Sequence, residues 1–478
     1  MKSLKNFFKG LLLMTVFVLL TLGFVVSAAA ATQFTNPILS NATNPAITYD
    51  GGYYYAVHTR PGGTNYIAVR KAERLSDLEQ AEEIHVYNVP SGQSAVWAPE
   101  MFKINNKWYI YYCADTNHDR QIFVLESTTS DALGSYTSKG ELSLPFTRNI
   151  DPSIFTDETT GESYLLWTYS TMSDNKNRNY IAHLSNPWTV DSSPVLITEP
   201  TYSWEASGRP ITEAPIALQK NGKTFIFYSG SAAVSNYCVG VVYNTDGDFL
   251  NPNSWTKMST PILSGNSTIL APGHNGLFKS PDGTEDWMVY HARQAPWNSN
   301  DWNWVAHKMT WDANGFPEIF TPDTWGVTVN GPSGEPVNSN EIIIDNGETG
   351  FTTDSSWTTS TSVSGYYGTN YKHDGTSGAD SSSRWAKWTP QITTAGRYNI
   401  YMRWVNDPVN HLRPDAAPVE IKYDGGTDTS KSVNQQINNG TWVLIGTYDL
   451  SAGTNNYVKI LATDAGYTIA DAVKFVKN

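Results

Sequence analysis

Beyond an apolar segment at the start of the chain, hydrophobic and polar residues alternate in short runs that are separated by Gly, Asn and Asp turns. This period of two is typical of β-strands with one buried face. No long run shows the period of an amphipathic helix. The pattern therefore predicts an all-β protein.

One strand phrase repeats five times along the chain. Each copy is a tight turn followed by an aromatic-rich strand, and the copies are GGYYYAVHT from 51, NNKWYIYYC from 105, GESYLLWTY from 161, NGKTFIFYS from 221 and GTEDWMVYHA from 283. Another apolar phrase precedes each copy and a third follows it, which indicates a sheet of several strands as the repeating unit. Such a period predicts a five-bladed β-propeller. Stacked sandwiches, the alternative all-β fold, do not explain a single period through this region.

The first strand of each unit supplies the candidate chemistry. In a propeller this strand runs along the central channel, so we expect its leading residue at the channel mouth. The five leading residues are Asn44, Glu100, Asp151, Glu213 and His274. Carboxylates that converge on one axis repel each other, which favours a functional site over residues that merely cap strand ends.

Composition narrows the range of partners. The net charge of −13 and the lack of any basic run argue against nucleic acid and anionic membranes. The 17 Trp and 27 Tyr suit stacking on sugar faces, but aromatic residues also suit β-strands. The two cysteines, Cys113 and Cys238, allow either one disulfide or two buried thiols.

The first 31 residues predict a secretory signal peptide. Lys2, Lys5 and Lys9 precede an apolar run from Leu11 to Val26, and the small residues SAAAAT follow. We expect cleavage near Ala31, which leaves a secreted, extracellular protein without a membrane contact. A membrane anchor is the alternative, because the run is nearly long enough to span a bilayer.

The ordered phrases NPAI, VWAPEM, NIDPSIF, ITEAPIAL and APGHNGLF resemble glycoside hydrolase family 43 over about Thr35 to Val329. The resemblance implies a five-bladed propeller that hydrolyses α-L-arabinofuranosides, β-D-xylosides and related plant polysaccharides with inversion. It implies no required cofactor, although many members hold a calcium or sodium ion beside an axial histidine, here His274. The expected partner is an arabinose- or xylose-containing polysaccharide or oligosaccharide.

The resemblance also assigns roles to single residues. Glu213 matches the general acid, and Asp151 matches the acid that orients it and raises its pKa. Trp97 matches a residue that walls the sugar, and His274 matches the axial histidine. Two further residues are expected to bind substrate from their positions alone: Glu100 as a leading residue of the ring, and Arg293 because it follows the fifth repeat phrase.

One departure from the family concerns the general base. The family has an aspartate in a DP dipeptide of the first blade, where this chain has Asn44. An amide holds water by hydrogen bonds but does not take its proton near neutral pH. Three explanations are open: another acid such as Glu100 or Asp115 activates the water, Asn44 is a laboratory exchange, or the propeller binds sugars without cleaving them. We expect an arabinofuranosidase or xylosidase with impaired activity, and a non-catalytic carbohydrate-binding propeller is the alternative.

A second domain follows the propeller of residues 32–330. Residues 331–340, GPSGEPVNSN, are predicted as a linker, and about eight antiparallel strands in residues 341–478 predict a jelly-roll sandwich. The phrases DNGETGF, AGRYNIYMRW and IADAVKFV resemble the golvesin C-terminal-like domain, which often accompanies secreted polysaccharide-active enzymes. Sugar binding and a spacer role are both open. The stacking candidates are Trp357, Tyr366, Tyr367, Trp385 and Trp388.

Overall fold

The computed structural model describes residues 32–478, apart from 172, 235, 297–300, 323–324, 337–340, 355–356, 376–383 and 408–412. The predicted signal peptide, residues 1–31, lies outside the described residues. The described part contains 35 β-strands and three short 3-10 helices, at Leu75–Asp77, Ser203–Glu205 and Pro252–Ser254. The prediction of an all-β protein is therefore confirmed. No helix in this part is long and apolar enough to cross a membrane.

Each sequence repeat forms one antiparallel sheet, which confirms the five-bladed propeller. The strands before and within the first two blades are β1 (Gln33–Thr35), β2 (Thr43–Asp50), β3 (Tyr53–Thr59), β4 (Tyr66–Ala72), β5 (Ile84–Asn88), β6 (Ser94–Ile104), β7 (Lys107–Thr116), β8 (Asp119–Ser127) and β9 (Tyr136–Glu141). The third blade contains β10 (Asn149–Thr156), β11 (Ser163–Ser170), β12 (Asn177–Asn186), β13 (Thr189–Val190) and β14 (Val195–Thr198). The fourth contains β15 (Thr212–Lys220), β16 (Lys223–Gly230), β17 (Cys238–Asn244), β18 (Thr256–Lys257) and β19 (Leu263–Ser264). The fifth contains β20 (Ile269–Lys279), β21 (Asp286–Gln294) and β22 (Asn303–Lys308).

Five hydrophobic clusters hold the blades together, one between each pair of neighbours. The repeated aromatic phrases form the second strand of each blade and supply much of this packing, for example Trp108 and Trp167, which are buried. Full burial of one such side chain stabilises the fold by about 1.5–3 kcal/mol. Because the last cluster joins Tyr54 of the first blade to Trp287 of the fifth, the ring is closed.

The N-terminal segment reinforces this closure. The N–H of Ile38 donates to the carbonyl of Trp304 at 2.9 Å, and the N–H of Trp304 donates to the carbonyl of Leu39 at 2.8 Å. Strand β1 also pairs with β23 (Thr328–Asn330), which follows the fifth blade. The segment before the first blade therefore covers the outer edge of the last one.

The C-terminal region forms a β-sandwich around one core, which includes Trp388, Ile400, Val458 and Phe475. Its strands are β24 (Glu341–Asp345), β25 (Phe351–Thr353), β26 (Thr358–Ser360), β27 (Tyr371–His373), β28 (Trp385–Trp388), β29 (Gly396–Arg403), β30 (Ala417–Tyr423), β31 (Gly426–Val433), β32 (Val443–Leu450), β33 (Tyr457–Leu461), β34 (Ile469–Ala470) and β35 (Ala472–Lys477). One large sheet has the order β24-β35-β29-β32 and the other β25-β28-β33-β30-β31, while β26, β27 and β34 form a small third sheet.

Two findings concern the predictions for this region. Of the five stacking candidates, Trp357, Tyr367 and Trp388 are buried, whereas Tyr366 and Trp385 are partly exposed. The predicted linker begins against the propeller, since the carboxylate of Glu335 accepts hydrogen bonds from the Thr32 hydroxyl at 2.6 Å and the Leu75 N–H at 3.0 Å. Residues 337–340 of this linker lie outside the described residues.

Candidate active site

A β-bulge near the start of each inner strand shapes the channel mouth. The pairing register shifts between Thr43 and Ala46, Trp97 and Glu100, Ile150 and Ser153, Glu213 and Ile216, and Gly273 and Gly276. Each bulge contains a non-glycine residue with positive φ: Asn44 (51°), Ala98 (44°), Asp151 (52°), Ala214 (51°) and His274 (47°). Positive φ is costly for such residues and is typical of functional sites. A bulge re-aims the side chains around it, here in all five blades.

The five predicted channel residues differ in their positions relative to these bulges. Asn44, Asp151 and His274 occupy equivalent positions, but Glu213 precedes the bulge residue of its blade and Glu100 follows its own by two positions. Glu100 and Glu213 are therefore offset from the bulge position that the other three residues share. Glu100 instead lines two cavities along the channel, one shared with Asp151 and His274 and one with apolar side chains.

Neighbouring blades fix the backbone of these bulges. The N–H of a bulge residue donates to a side chain on the second strand of the preceding blade. The bonds are His274 to Ser229 Oγ (2.6 Å), Ala214 to Thr168 Oγ1 (3.1 Å) and Asn44 to His291 Nδ1 (3.3 Å). Because each bond crosses a blade interface, the packing of the blades sets the geometry of the site.

Two hydrogen-bond donors hold the carboxyl group of Glu213. The Tyr237 hydroxyl donates to Oε1 at 2.8 Å, and Nδ2 of Asn177 donates to Oε2 at 2.9 Å. The amide of Asn177 is oriented in turn by Arg209, which donates to its Oδ1 at 2.8 Å. The acid is therefore fixed at both oxygens.

The direction of the Tyr237 hydrogen bond follows from its neighbours. Ser229 Oγ accepts the N–H of His274, so its own proton is directed to the hydroxyl oxygen of Tyr237. That oxygen is then an acceptor from Ser229, and its proton is left for Glu213. Both oxygens of Glu213 thus accept a hydrogen bond, Oε1 from Tyr237 and Oε2 from Asn177.

Charge and burial set the protonation of the acid pair. Burial, followed by the charge of Asp151, raises the pKa of Glu213 to about 7, against the opposing hydrogen bonds from Tyr237 and Asn177. Burial also raises the pKa of Asp151 to about 6, although the charge of Arg120 opposes this rise. Near neutral pH a substantial fraction of Glu213 is protonated beside a charged Asp151. This is the state that a general acid needs.

Asn44 lies on a wall built from aromatic and basic side chains. Its N–H donates to His291, whose ring centre lies 4.1 Å from the ring centre of Trp302. The guanidinium of Arg293 lies 3.6 Å from the centre of the Trp302 ring. The side-chain amide of Asn44 makes no hydrogen bond to any residue within the described part of the chain, so it is available to water or substrate.

Trp97 and Glu100, which are also predicted site residues, lie on the second blade. Trp97 is half-buried, and Arg120 lies over its ring at 5.4 Å. Arg120 also donates to Asp115 at 2.6 Å, so Asp115 is held in an ion pair. Burial and then the charge of Asp151 raise the pKa of Glu100 well above its usual value. A raised pKa disfavours the charged form that a general base needs, and Asp115 is held by Arg120, so neither acid is an evident substitute for the base.

His274 is the predicted metal contact. Burial lowers its pKa to about 4, so the imidazole is neutral and has a free lone pair. Hard cations such as calcium prefer several oxygen ligands. Within the described ranges no group of three or more His, Cys, Asp or Glu side chains is arranged to hold a metal ion. The donor set therefore does not form a calcium cage, and His274 as a metal contact stays a prediction.

No direct signal in the sequence indicates several residues of the site: Tyr237, Asn177, Arg209 and Trp302. They come from loops and strand ends outside the repeated phrases. One indirect signal is Gly273 in APGHN, because a Cβ atom at this position would lie 2.2 Å from the ring of Tyr237. The two cysteines, also left open by the sequence, are buried free thiols.

A protonated carboxylic acid beside a second carboxyl group, at the mouth of a propeller channel, defines a glycosidase type of site. Comparison with known families agrees with this class. The model of glycosyl hydrolases family 43 matches residues 34–317, and the Golvesin C-terminal domain model matches residues 342–477. The chain belongs to glycosyl hydrolases family 43.

Three known proteins illustrate the relationship. An extracellular exo-alpha-(1->5)-L-arabinofuranosidase of Streptomyces avermitilis is 34% identical over 333 residues, which cover 65% of this chain and 69% of that protein. Alpha-L-arabinofuranosidase 43 of Humicola insolens is 33% identical over 323 residues, which cover 63% and 66%. The crystal structure of an alpha-L-arabinofuranosidase from Lactobacillus brevis is 30% identical, with a TM-score of 0.57 over 61% of this chain and 98% of that one.

Proposed function

We propose that this protein is a secreted, inverting glycosidase whose rate is limited by Asn44. Its first substrate class is arabinofuranosyl linkages, and its second is xylosyl linkages. The observation that carries the proposal is the environment of Glu213, a buried acid with a pKa near 7 that is held at both oxygens. The substrate class is supported by similar proteins that are named arabinofuranosidases.

The acid half of the reaction uses Glu213 and Asp151. As the bond between the sugar and the glycosidic oxygen breaks, Glu213 gives its proton to that oxygen, and the leaving alcohol departs neutral. Burial and then the negative charge of Asp151 raise the pKa of Glu213 and so keep this proton in place until the transition state. Tyr237 and Asn177 each hold one oxygen of this carboxyl group and so fix the position of the acid.

The base half is incomplete in this chain. Inversion needs a carboxylate about 6.5–9.5 Å from the acid, which removes a proton from water as the water attacks the sugar carbon. The Asn44 amide orients a water molecule, but the proton of that water passes to solvent instead of to a carboxylate. Loss of general-base help lowers a rate by about 10²- to 10⁴-fold. We therefore propose slow turnover.

Secretion is proposed from two observations. The first 31 residues have the charge and hydropathy pattern of a signal peptide, and the similar Streptomyces enzyme is named extracellular. The natural substrate is then an external arabinose- or xylose-containing polysaccharide.

A non-catalytic sugar-binding propeller is the second candidate, and Asn44 is the observation that favours it. One set of assays distinguishes the two candidates. The unmodified protein, its Asn44→Asp variant and its Asn44→Asp/Glu213→Gln variant are assayed on aryl α-L-arabinofuranoside and aryl β-D-xyloside. The glycosidase proposal expects the first variant to hydrolyse the arabinofuranoside faster than the xyloside. The double variant should lose more rate on a poor leaving group than on an activated one, because only poor leaving groups need the acid. No turnover by any variant, together with oligosaccharide binding by calorimetry, would overturn the glycosidase proposal and support the binding module.

A further inference from the structure

The outer face of the five-stranded sheet in the C-terminal domain carries a basic and aromatic cluster. The inward residues of its central strands, Ala386, Trp388, Val458 and Ile460, belong to the buried core. Alternation therefore directs the intervening residues to the outer face. These are Trp385 and Lys387 on β28, Tyr457 and Lys459 on β33, and Glu420 and Lys422 on β30.

Strand pairing brings these side chains together. Lys387 is paired with Lys459, Lys459 with Glu420, and Lys422 with Tyr457. The ammonium groups of three lysines lie close to the centre of the Tyr457 ring, at 5.5 Å for Lys387, 6.0 Å for Lys422 and 5.7 Å for Lys459. The ammonium of Lys387 also lies 5.3 Å from the ring centre of Trp385. One cation is thus placed between two aromatic rings.

The cluster has an excess of positive charge. The carboxylate of Glu420 accepts the Tyr457 hydroxyl at 2.6 Å and pairs with Lys459 at 2.7 Å, so it neutralises one lysine. Lys387 and Lys422 form no ion pair with a carboxylate among the residues that the structure describes. Two like charges beside one ring repel each other unless an anion joins them. In a protein with a net charge of −13 this local excess is the opposite of the average surface.

We propose that this face binds a polysaccharide chain of carboxylated sugars, a polyuronate. Aromatic rings such as Trp385 and Tyr457 stack on the apolar faces of sugar rings. Lys387 and Lys422 supply the positive charges that pair with a carboxylate on each sugar. A neutral polysaccharide leaves the two lysines without a partner, and an anionic polymer without rings leaves the two aromatic side chains unused. The combination therefore selects carboxylated sugars over both.

The full-length protein tests this proposal by calorimetry with polygalacturonate, at low and at higher ionic strength. Linear arabinan serves as the neutral polysaccharide and poly-L-glutamate as the polyanion without sugar rings. We expect the tightest binding to polygalacturonate and a weakening with salt. Equal binding of poly-L-glutamate would show a charge effect alone and overturn the proposal, and equal binding of arabinan would overturn it as well.

Variants locate the site. The double variant Lys387→Gln/Lys422→Gln should weaken binding of polygalacturonate by about tenfold. The matched control Lys372→Gln/Lys477→Gln removes the same charge elsewhere on this domain and should leave binding within about twofold. Trp385→Ala should weaken binding without a change in charge. Equal losses in the double variant and its control would overturn the proposal. Hydrolysis of an aryl arabinofuranoside is measured in parallel and should not change, so the outcome is independent of the catalytic proposal.

Discussion

The Tyr237 hydroxyl donates a hydrogen bond to Oε1 of Glu213 at 2.8 Å. This bond joins a loop of the fourth blade to the candidate acid on the inner strand of the same blade. Tyr237 is almost fully buried, and its ring fits only because residue 273 of the next blade has no side chain. The proton affinity of the acid therefore depends on contacts within and between blades, and this dependence can be measured.

Replacement of Tyr237 by Phe removes a donor that stabilises the charged form of Glu213. The pKa of Glu213 should rise, so the acid keeps its proton to higher pH. In the Asn44→Asp background we expect the alkaline limb of the pH–rate profile to move up by about one pH unit. Tyr243→Phe, in the outer part of the same blade, is the control and should leave the profile in place. An unmoved or lowered limb in Tyr237→Phe would contradict the assignment.

The pH dependence of stability provides a second test of the acid. The pKa of Glu213 is raised from 4.5 when unfolded to about 7 when folded, so its protonated form stabilises the fold fully below about pH 4.5. This contribution is lost as the pH rises through 7. Glu213→Gln does not titrate, so it should match the protein at pH 4.5 and be more stable by roughly 1–3 kcal/mol at pH 8.5.

Urea denaturation at the two pH values measures this difference. Glu318→Gln is the matched control, because Glu318 is exposed. If Glu213→Gln raises the free energy of unfolding no more at pH 8.5 than at pH 4.5, Glu213 is not held in its protonated form.

Gly273 is expected to be intolerant of a side chain. A Cβ atom here would lie 2.2 Å from the Tyr237 ring, so Gly273→Ala should displace that ring and destabilise the protein by about 1–3 kcal/mol. Gly347→Ala is the control, since a Cβ atom at Gly347 meets nothing within 4 Å. Chemical denaturation of both variants measures the cost. Equal stabilities would mean that the contact with Tyr237 is absent in solution.

A buried ion pair in the fourth blade should contribute strongly to stability. Glu205 is fully buried and pairs with Lys257 at 2.7 Å, while the Tyr228 hydroxyl donates to the same carboxylate at 2.7 Å. Lys257→Met leaves a buried carboxylate without its cation, and we expect a loss of about 3–5 kcal/mol in the free energy of unfolding.

The control for this pair is Lys103→Met, which breaks a pair with Asp50 at the surface and should cost less than about 1 kcal/mol. Thermal and urea denaturation compare the two variants. Similar losses would show that the Glu205 carboxylate finds another partner when Lys257 is removed.

The propeller was predictable because its signal is local and repeated. Each aromatic strand is apolar where neighbouring blades cover it, and five copies reveal the period. Strand β31 (GTDTSKSV) has no clear signal in the sequence, because it is an exposed edge strand with few apolar residues. The burial of Trp388 was also not predictable, since alternation does not say which of two faces is covered.

The candidate site was predictable only in part. The sequence phrases placed Glu213, Asp151 and Asn44 on inner strands because each precedes or belongs to an apolar strand. The different positions of Glu213 and Glu100 relative to the bulge residues were not visible in the sequence, since a bulge depends on pairing with the next strand. Tyr237 and Asn177 reach the acid through tertiary contacts between loops and strands, which no local pattern records.

The most direct test of the central claim is the ratio of kcat/KM for an aryl arabinofuranoside between Asn44→Asp and the unmodified protein. If the site has a working acid but an amide in place of the base, the ratio should be about 10² to 10⁴. Asn41→Asp, three residues earlier and exposed, controls for added charge and should leave the rate unchanged. Equal and robust rates in Asn44→Asp and the unmodified protein would contradict the claim, because another residue would then be the base.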